Sequence, residues 1–338
     1  WQPFTVIQSG SLRIGDAAAC CTACSREMGE CLKQPLVSII TPCYNGERYL
    51  DRYFSSVIQQ TYQPLELIFI NDGSTDRTAE IAARYRPVLE EKGIPFTYLY
   101  QENAGQAAAL NRGLKLFTGE YLTWPDADDE MTPDCIEKKV AYLQAHPEMQ
   151  MVRSDGIYYN ETTQEKRGIA KEEDKFPQNI FEKLLSVKTY GCCGCYMISR
   201  ALFLECYPDK NIFESRVGQN WQLLVPAASR SLCGYLDEKL YLVNEHGDSH
   251  SRHLRSAGEM FQWWDMFTEI LRRAIGVSQC DLKHARNLVE ENRARQQFYY
   301  AVSNHNKAAM NLALTEVRKY GRPTIKEYLL FLKSTLRG

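Results

Sequence analysis

The stretch VSIITPCYNGERYLDRYFSSVIQQTYQPLELIFIND, residues 37–72, contains two short apolar runs with a helical pattern between them. The run at 36–40 is apolar except for Ser38, which is typical of a strand that is buried on both faces, and the run at 65–70 predicts a second strand. The segment between them repeats apolar side chains at helical spacing, namely Leu50, Tyr53, Phe54, Val57 and Ile58. A strand, a helix and a second strand in this order predict a parallel pair joined by a crossover helix.

The same alternation continues beyond this unit. Apolar runs at 96–100 and 120–124 predict a third and a fourth strand, with helical patterns between the runs. We therefore expect an α/β fold with a single Rossmann-like, mostly parallel sheet and helices on both faces, followed by a C-terminal helical appendage. The predicted divisions of the chain are a poorly ordered N-terminal extension at 1–34, a main domain at 35–255 and a helical region at 256–338.

Composition excludes some classes of function. The 338 residues carry a formal net charge of -2 and the sequence pI is about 6.4, so no overall basic field attracts nucleic acid, and none is expected as a partner. No apolar run reaches the roughly 18 residues of a transmembrane helix. The first residues lack the basic start and apolar stretch of a signal peptide. We expect a cytoplasmic protein.

Twelve cysteines are present, and in the cytoplasm they are expected to be reduced. Cys20, Cys21, Cys24 and Cys31 supply enough sulfur atoms for a zinc site, but we favour a cysteine-rich tail that binds no metal. The segment GCCGC at 191–195 lies in an apolar context, which indicates small buried thiols.

Polar clusters follow all four predicted strands: PCYN, NDGS, QENAG and PDADD. Ligands of parallel α/β sheets bind beyond the carboxyl ends of the strands, so the four clusters are expected to face one site. In the last cluster, Asp126 and Asp128 are two residues apart, a pattern that suits Mg²⁺ or Mn²⁺ shared with substrate phosphates. A solvated surface turn is the alternative for this cluster taken alone.

The stretch at 37–81, together with NAGQAAALNRGL at 103–114 and GEYLTWPDADD at 119–129, resembles the family 2 glycosyltransferases. The resemblance is continuous over about residues 35–135 and weaker from there to about 253. It implies the GT-A type of nucleotide-sugar-binding fold, with 35–255 as the catalytic domain. It also implies an inverting, metal-dependent transfer of a sugar from a nucleotide-sugar donor, for which we expect a UDP-sugar.

The resemblance assigns a donor site. Four residues would line the nucleoside pocket: Pro42, Tyr44, Asn45 and Glu47. Asp72 would accept a hydrogen bond from the base. Three residues would shape the sugar-diphosphate cleft: Asn103, Gly105 and Asn111. Asp126 would lie near the ribose and the metal, Asp128 would bind the metal, and His250 in HGDSHSR would complete the metal or diphosphate site. A surface histidine is the alternative for His250.

The sequence departs from the family pattern where the general base is expected. Many members carry a Glu-Asp pair there, whereas this chain has Gln219 and Asn220 in ESRVGQNWQLL. An amide does not accept a proton at neutral pH, so Asn220 occupies the position of the general base but does not act as one. Glu214 is a nearby substitute, or else a surface carboxylate at a helix entry. Gln219 and Trp221 are candidates for acceptor binding, and a core anchor is the alternative for Trp221.

The expected partners are a nucleotide-sugar donor and a glycan or lipid-linked saccharide acceptor, in surface polysaccharide or glycolipid assembly. The basic, amphipathic C-terminal helix either docks on the catalytic domain or contacts the inner face of a membrane. An aromatic stripe around Trp264 either packs in the core or forms a homodimer surface. Two rival functions are a non-catalytic nucleotide-sugar or glycan-binding protein and, more weakly, a sugar-nucleotide pyrophosphorylase.

Overall fold

The computed structural model of the chain describes residues 34–246 and 257–336. Residues 1–33 of the predicted extension, with the four clustered cysteines, lie outside the described residues, and so does His250.

The first half of the described chain alternates strands and helices as predicted. The elements are β1 (Val37–Cys43), α1 (Leu50–Ile58), β2 (Leu65–Asp72), α2 (Thr78–Glu91), β3 (Phe96–Gln101), α3 (Gln106–Leu116), β4 (Tyr121–Thr123), β5 (Glu130–Met131) and α4 (Cys135–Ala145). All seven residues of β1 are buried, as the apolar run indicates.

The second half begins with mixed elements and ends with helices. The mixed elements are β6 (Met151–Asn160), β7 (Lys166–Gly168), α5 (Phe181–Leu185), β8 (Tyr196–Ser199), α6 (Arg200–Cys206), α7 (Gln219–Ala228) and β9 (Cys233–Glu245). The helices are α8 (Ala257–Gly276), α9 (Leu282–Ser303), α10 (Lys307–Tyr320) and α11 (Ile325–Leu336). They form the C-terminal helical appendage that the sequence predicts.

The strands form one sheet in the order β3-β2-β1-β4-β8-β6-β9-β5, with β7 paired to β6. Strands β3, β2, β1 and β4 are parallel, so their carboxyl ends reach the same edge. Beyond β4 the sheet is mixed, because β8 runs antiparallel to both β4 and β6, whereas β6 and β9 are parallel. The parallel character that the sequence predicts is therefore found in the half of the sheet formed by β3, β2, β1 and β4.

The C-terminal helices continue the main core and then build a smaller one. On α8, Phe267 is buried and meets Trp221 of α7 edge-on, with ring centroids 5.5 Å apart. Trp264 is half-buried and packs edge-on against Phe267 at 5.7 Å, so the aromatic stripe packs inward. A second apolar cluster joins α9 and α10 and consists of Phe298, Ala301, Met310, Ala313 and Leu314. None of the helices in the described part of the chain is long and apolar enough to cross a membrane.

Helix α3 lies close to the sheet at Gly113. A Cβ atom at this position would stand 2.3 Å from Cγ2 of Ile40 and 3.2 Å from Cδ1 of Ile70. Both isoleucines are buried in the sheet, so neither has room to move away. The absence of a side chain at Gly113 is what allows the helix to approach the strands at this distance.

We expect Gly113→Ala to lower the free energy of unfolding by about 1–3 kcal/mol, because the added methyl group overpacks the helix–sheet contact. Gly276→Ala is the matched control, since a Cβ atom there meets nothing within 4 Å. Equilibrium urea denaturation of both variants measures the difference. Equal stability of the two variants would contradict the close contact between α3 and β1.

Candidate active site

The loops that follow β1, β2, β3 and β4 lie at the same edge of the sheet, because these strands are parallel, and that they face one ligand site stays a prediction. The loop after β1 is bound to the loop after β2. Oδ1 of Asn45 accepts a hydrogen bond from the backbone N–H of Thr75 at 2.9 Å, and the backbone N–H of Asn45 donates to Oγ of Ser74 at 2.9 Å. Glu47 accepts from the backbone N–H and from Nε of Arg77, at 3.1 and 3.0 Å. These hydrogen bonds lower the pKa of Glu47.

Pro42 and Tyr44 differ in exposure although they are only two residues apart. Pro42 is buried within β1, whereas the side chain of Tyr44 is 45% exposed. An exposed aromatic ring beside a polar cleft is suited to stacking on a nucleobase. Pro42 lies in β1, the strand that carries this loop. The roles of Pro42 and Tyr44 in the nucleoside pocket stay predictions.

Asp72, at the end of β2, organises the loop after β3. Its Oδ1 accepts hydrogen bonds from Nε2 of Gln101 at 2.7 Å and from the backbone N–H of Ala104 at 2.9 Å. Its Oδ2 accepts from the backbone N–H of Gly105 at 2.9 Å. A carboxylate oxygen has two lone pairs, so Oδ2 retains one acceptor position for a ligand. Contact of Asp72 with the base of the donor stays a prediction.

The three residues predicted to shape the sugar-diphosphate cleft have different surroundings. Oδ1 of Asn103 accepts from Nη1 of Arg216 at 3.3 Å. Gly105 has a φ of +94°, a conformation that L side chains rarely adopt, and it directly precedes α3. Asn111 is buried, and both ends of its amide bind the backbone of Ile212, at 2.8 and 2.9 Å. Asn111 therefore holds the segment before α7 against α3.

The loop after β4 concentrates negative charge. Asp126, Asp128 and Asp129 can each offer one oxygen such that the three atoms lie within 4.8 Å of one another. Burial and the charge of Asp128 raise the pKa of Asp126 to about 6. Burial and the charges of both neighbours raise the pKa of Asp129 well above its usual value. Oxygen ligands at this spacing, strained by their own repulsion, fit a hard divalent cation such as Mg²⁺ or Mn²⁺.

Two side chains that sequence reasoning missed hold the Asp126 carboxylate. Nε2 of Gln106, the first residue of α3, donates to Oδ1 at 2.6 Å. Sγ of Cys193 donates to Oδ2 at 3.1 Å, and burial raises the pKa of this thiol, which keeps it neutral. Gln219, the first residue of α7, donates through Nε2 to Oε1 of Gln106. A continuous chain of hydrogen bonds thus joins α7 to the acidic cluster.

Among the described residues, His246 lies at the acidic cluster, and it belongs to the same HGDSHSR segment as the predicted His250. Its Nε2 lies 3.0 Å from Oδ2 of Asp128, and its Nδ1 lies 2.8 Å from the hydroxyl of Tyr49. The two rings are stacked with centroids 4.2 Å apart. Arg52 donates to the backbone carbonyl of Asp128 at 2.8 Å. Asp128 is thereby held from both its side chain and its backbone.

At the position of the family's base, Oδ1 of Asn220 accepts a hydrogen bond from Nε1 of Trp124 at 3.1 Å. The amide nitrogen of Asn220 has no protein partner among the residues that the structure describes. Trp221 packs edge-on against Phe267 and contributes to the core, in agreement with the alternative of a core anchor. Glu214 is exposed, and its role as a proton acceptor stays a prediction.

The signals for the missed residues were present but weak. Gln106 is part of the QENAGQ segment, and Cys193 is part of GCCGC, which was interpreted as buried thiols. That interpretation is confirmed, because Cys193 and Cys195 are buried and Cys192 is half-buried. Nothing in the local pattern places Cys193 beside Asp126, because the two residues come from segments that meet only in the folded sheet.

The acidic cluster should destabilise the metal-free protein at neutral pH. Because the pKa of Asp126 rises from 3.8 to about 6 on folding, protonation of this carboxyl group favours the folded state. This stabilisation is fully present below pH 3.8 and is lost as the pH rises through 6. We expect Asp126→Asn to raise the free energy of unfolding at about pH 8, in the presence of a chelator, by about 1–3 kcal/mol. Chemical denaturation at acidic and at alkaline pH measures this.

Asp134→Asn is the matched control for this prediction. A hydrogen bond from Lys138 lowers the pKa of Asp134, so this substitution should act in the opposite direction. An Asp126→Asn variant that is no more stable than the wild type at alkaline pH would contradict the destabilising role of the cluster.

Curated relatives match parts of the chain. An uncharacterized glycosyltransferase of Rickettsia typhi is 43% identical over 109 residues, which is 32% of this chain and 32% of that protein. The glycosyltransferase GlyA of Streptococcus pneumoniae is 32% identical over 217 residues, which is 62% of this chain and 28% of that protein. The chain spans about a third of the length of these relatives.

Two solved structures share the fold at low sequence identity. The first, Staphylococcus aureus TarS 1-349 in complex with UDP-GlcNAc, has a TM-score of 0.58 and 18% identity, over 88% of this chain and 79% of that chain. The second, the mannosyltransferase PcManGT of Pyrobaculum calidifontis in complex with GDP-Man and Mn²⁺, has a TM-score of 0.55 and 16% identity, over 90% and 80%.

The sequence profile of Glycosyl transferase family 2 matches residues 38–207, which is half of the chain. The matched region runs from β1 to the segment after α6 and includes the four polar loops and the acidic cluster. The fold, the loop geometry and the profile agree with one another. The chain belongs to Glycosyl transferase family 2.

Proposed function

We propose that this enzyme transfers a hexosyl group from a UDP-sugar to a hydroxyl group of a glycan or a lipid-linked saccharide. The transfer inverts the anomeric centre and serves surface polysaccharide or glycolipid assembly. The observation that supports the proposal most directly is the cluster of Asp126, Asp128 and Asp129 at the edge where the four loops meet. Three carboxylates that repel one another at this edge are suited to a metal–diphosphate group.

In this proposal Asp126 and Asp128 hold the divalent cation. When bound there, the cation neutralises charge on the diphosphate leaving group. The chain's own contribution is to keep the two carboxylates in place. Gln106 and Cys193 orient Asp126, and His246 orients Asp128. Such supporting hydrogen bonds fix ligands and change their basicity.

The donor base is proposed to be uracil. TarS, which shares the fold, was solved in complex with UDP-GlcNAc, and PcManGT was solved with GDP-Man, so the fold accommodates both nucleotides. Tyr44 offers an exposed ring, and Asp72 retains one acceptor position. A carboxylate acceptor complements the N–H of a uracil ring.

The acceptor is proposed to bind beside the start of α7. Gln219 is connected to the acidic cluster through Gln106, and Asn220 has an amide nitrogen without a protein partner in the described part of the chain. We assign Asn220 a role as a hydrogen-bond donor to substrate and not as a base, because an amide does not take up the hydroxyl proton. Glu214 precedes α7 by five positions and is the proposed proton acceptor to be tested by Glu214→Gln.

The donor site is tested by calorimetric titration with UDP, UDP-sugars and GDP-mannose, with and without Mn²⁺. We expect Mn²⁺ to strengthen the binding of UDP, and we expect Asp128→Ala to remove this gain because a metal ligand is lost. Asp134→Ala, from the same acidic stretch but outside the cluster, is the matched control and should bind like the wild type. Binding that does not depend on metal, or that favours GDP-mannose, would contradict the proposed donor.

The supporting histidine is tested separately by direct Mn²⁺ titration. We expect His246→Ala to lower Mn²⁺ affinity about 10–100-fold, because the partner that orients Asp128 is removed. His284→Ala, which changes an exposed histidine paired with Glu182, should leave the affinity unchanged. Loss of affinity in His250→Ala with none in His246→Ala would instead favour the assignment made by family resemblance.

A further inference from the structure

Helix α11 turns its one carboxylate inward together with Leu330 and Phe331, which pack against the second apolar cluster. The one carboxylate of the helix, Glu327, is fully buried and accepts two hydrogen bonds from Nη1 of Arg295, at 2.5 and 2.6 Å. It also accepts from the backbone N–H of Thr324 at 2.7 Å. This contact docks α11 on α9, a helix of the C-terminal helical region.

The opposite side of the same helix is apolar and exposed. Ile325 is 80% exposed, Leu329 57%, Leu332 53% and Tyr328 41%. Their spacing of i, i+3, i+4 and i+7 places them in one stripe. The helix packs on its own domain through Leu330 and Phe331, so this exposed stripe is a second apolar side that is available for contact with something apolar.

Basic side chains surround this stripe. The segment 318–333 contains five basic residues, all exposed: Arg318, Lys319, Arg322, Lys326 and Lys333. Its one acidic residue is Glu327, which Arg295 already neutralises. The guanidinium of Arg318 lies 5.8 Å from the centre of the Tyr328 ring, so positive charge borders the stripe directly. We call the stripe and these five residues the α11 face.

We propose that the α11 face docks on an anionic lipid bilayer, with α11 lying parallel to the membrane surface. An apolar stripe flanked by lysine and arginine is the pattern of helices that lie in the membrane interface. Charge distinguishes this partner from a second copy of the chain. Lys319 is paired with Glu316 at 3.8 Å, which leaves Arg318, Arg322, Lys326 and Lys333 as the net positive charge of the face. A symmetric dimer through the face would bring two such sets of positive charges together, whereas an anionic bilayer attracts each of them.

The docking is independent of the identity of the nucleotide donor. It concerns residues 318–333, which lie outside the region 38–207 matched by the family profile. A single amphipathic helix that lies in the membrane interface gives reversible attachment. Reversible attachment would place the enzyme at the surface where a lipid-linked acceptor resides.

The test is co-flotation of the full chain with vesicles of phosphatidylglycerol and phosphatidylcholine, compared with vesicles of phosphatidylcholine alone. We expect binding to the anionic vesicles that weakens with added salt. Lys326→Gln with Lys333→Gln should lower the partition coefficient roughly five-fold per lysine, the effect of one basic residue near an anionic surface. Ile325→Gln with Leu329→Gln should lower it by at least about ten-fold, because the inserted apolar area is lost.

Leu116→Gln with Leu232→Gln is the matched control, since these leucines are 47% and 46% exposed at other places on the surface. This variant should bind vesicles like the wild type. Thermal unfolding and the titration with UDP show for each variant that the fold and the donor site are intact, so failure of the docking is distinguishable from failure of the proposed function.

The proposal is overturned if anionic vesicles do not bind the protein, or if the Ile325 and Leu329 variant binds them unchanged. A concentration-dependent dimer that this variant abolishes, in the absence of vesicle binding, would assign the face to a second copy.

Discussion

The repulsion between the carboxylates of Asp126 and Asp128 is the constraint on which the organisation of the site depends. Folding brings these groups together and removes the Asp126 carboxylate from water, and the raised pKa of Asp126 expresses the free energy that this costs. Every neighbouring element contributes a hydrogen-bond donor to the cluster: Gln106 from α3, Cys193 from the turn before β8 and His246 from the segment after β9. The sheet therefore serves to bring distant donors to one short loop.

The same constraint accounts for the departure from the acidic pair of the family. In this chain the side chain at 219 donates a hydrogen bond to Gln106, which donates in turn to Asp126. A carboxylate at 219 would have to be protonated to make that contact, and in its charged form it would add negative charge near a cluster that already repels itself. Amides at 219 and 220 are consistent with this arrangement, because they supply donors without adding charge.

The predictable part of the structure is the part whose signals are local. Strands β1 to β4 and their helices follow from periodicity, because each apolar run lies within one segment and the crossovers are sequential. The mixed half of the sheet was not predictable in the same way, since β8 inserts between β4 and β6 and the chain returns to the sheet out of order.

The residues of the site can be divided in the same way into those with local signals and those without. The polar loops were found because they follow strands, whereas Gln106, Cys193 and His246 depend on contacts between segments that are 20 to 118 positions apart. Family resemblance placed Asn111 where it would shape the sugar-diphosphate cleft, which stays a prediction, and its amide holds the backbone of Ile212.

The chain of amides from α7 to Asp126 has a direction. In both Gln219 and Gln106 the amide nitrogen donates in the direction of Asp126, and the amide oxygen faces away from Asp126. This series of hydrogen bonds begins at the Asp126 carboxylate, which is an acceptor, and it ends at Oε1 of Gln219, which is also an acceptor. A group that extends the chain must therefore supply a hydrogen, which a sugar hydroxyl does and an ionised phosphate oxygen does not. The polarity that the acidic loop imposes is thus transmitted over two side chains, and it presents Oε1 of Gln219 as an acceptor at the start of α7.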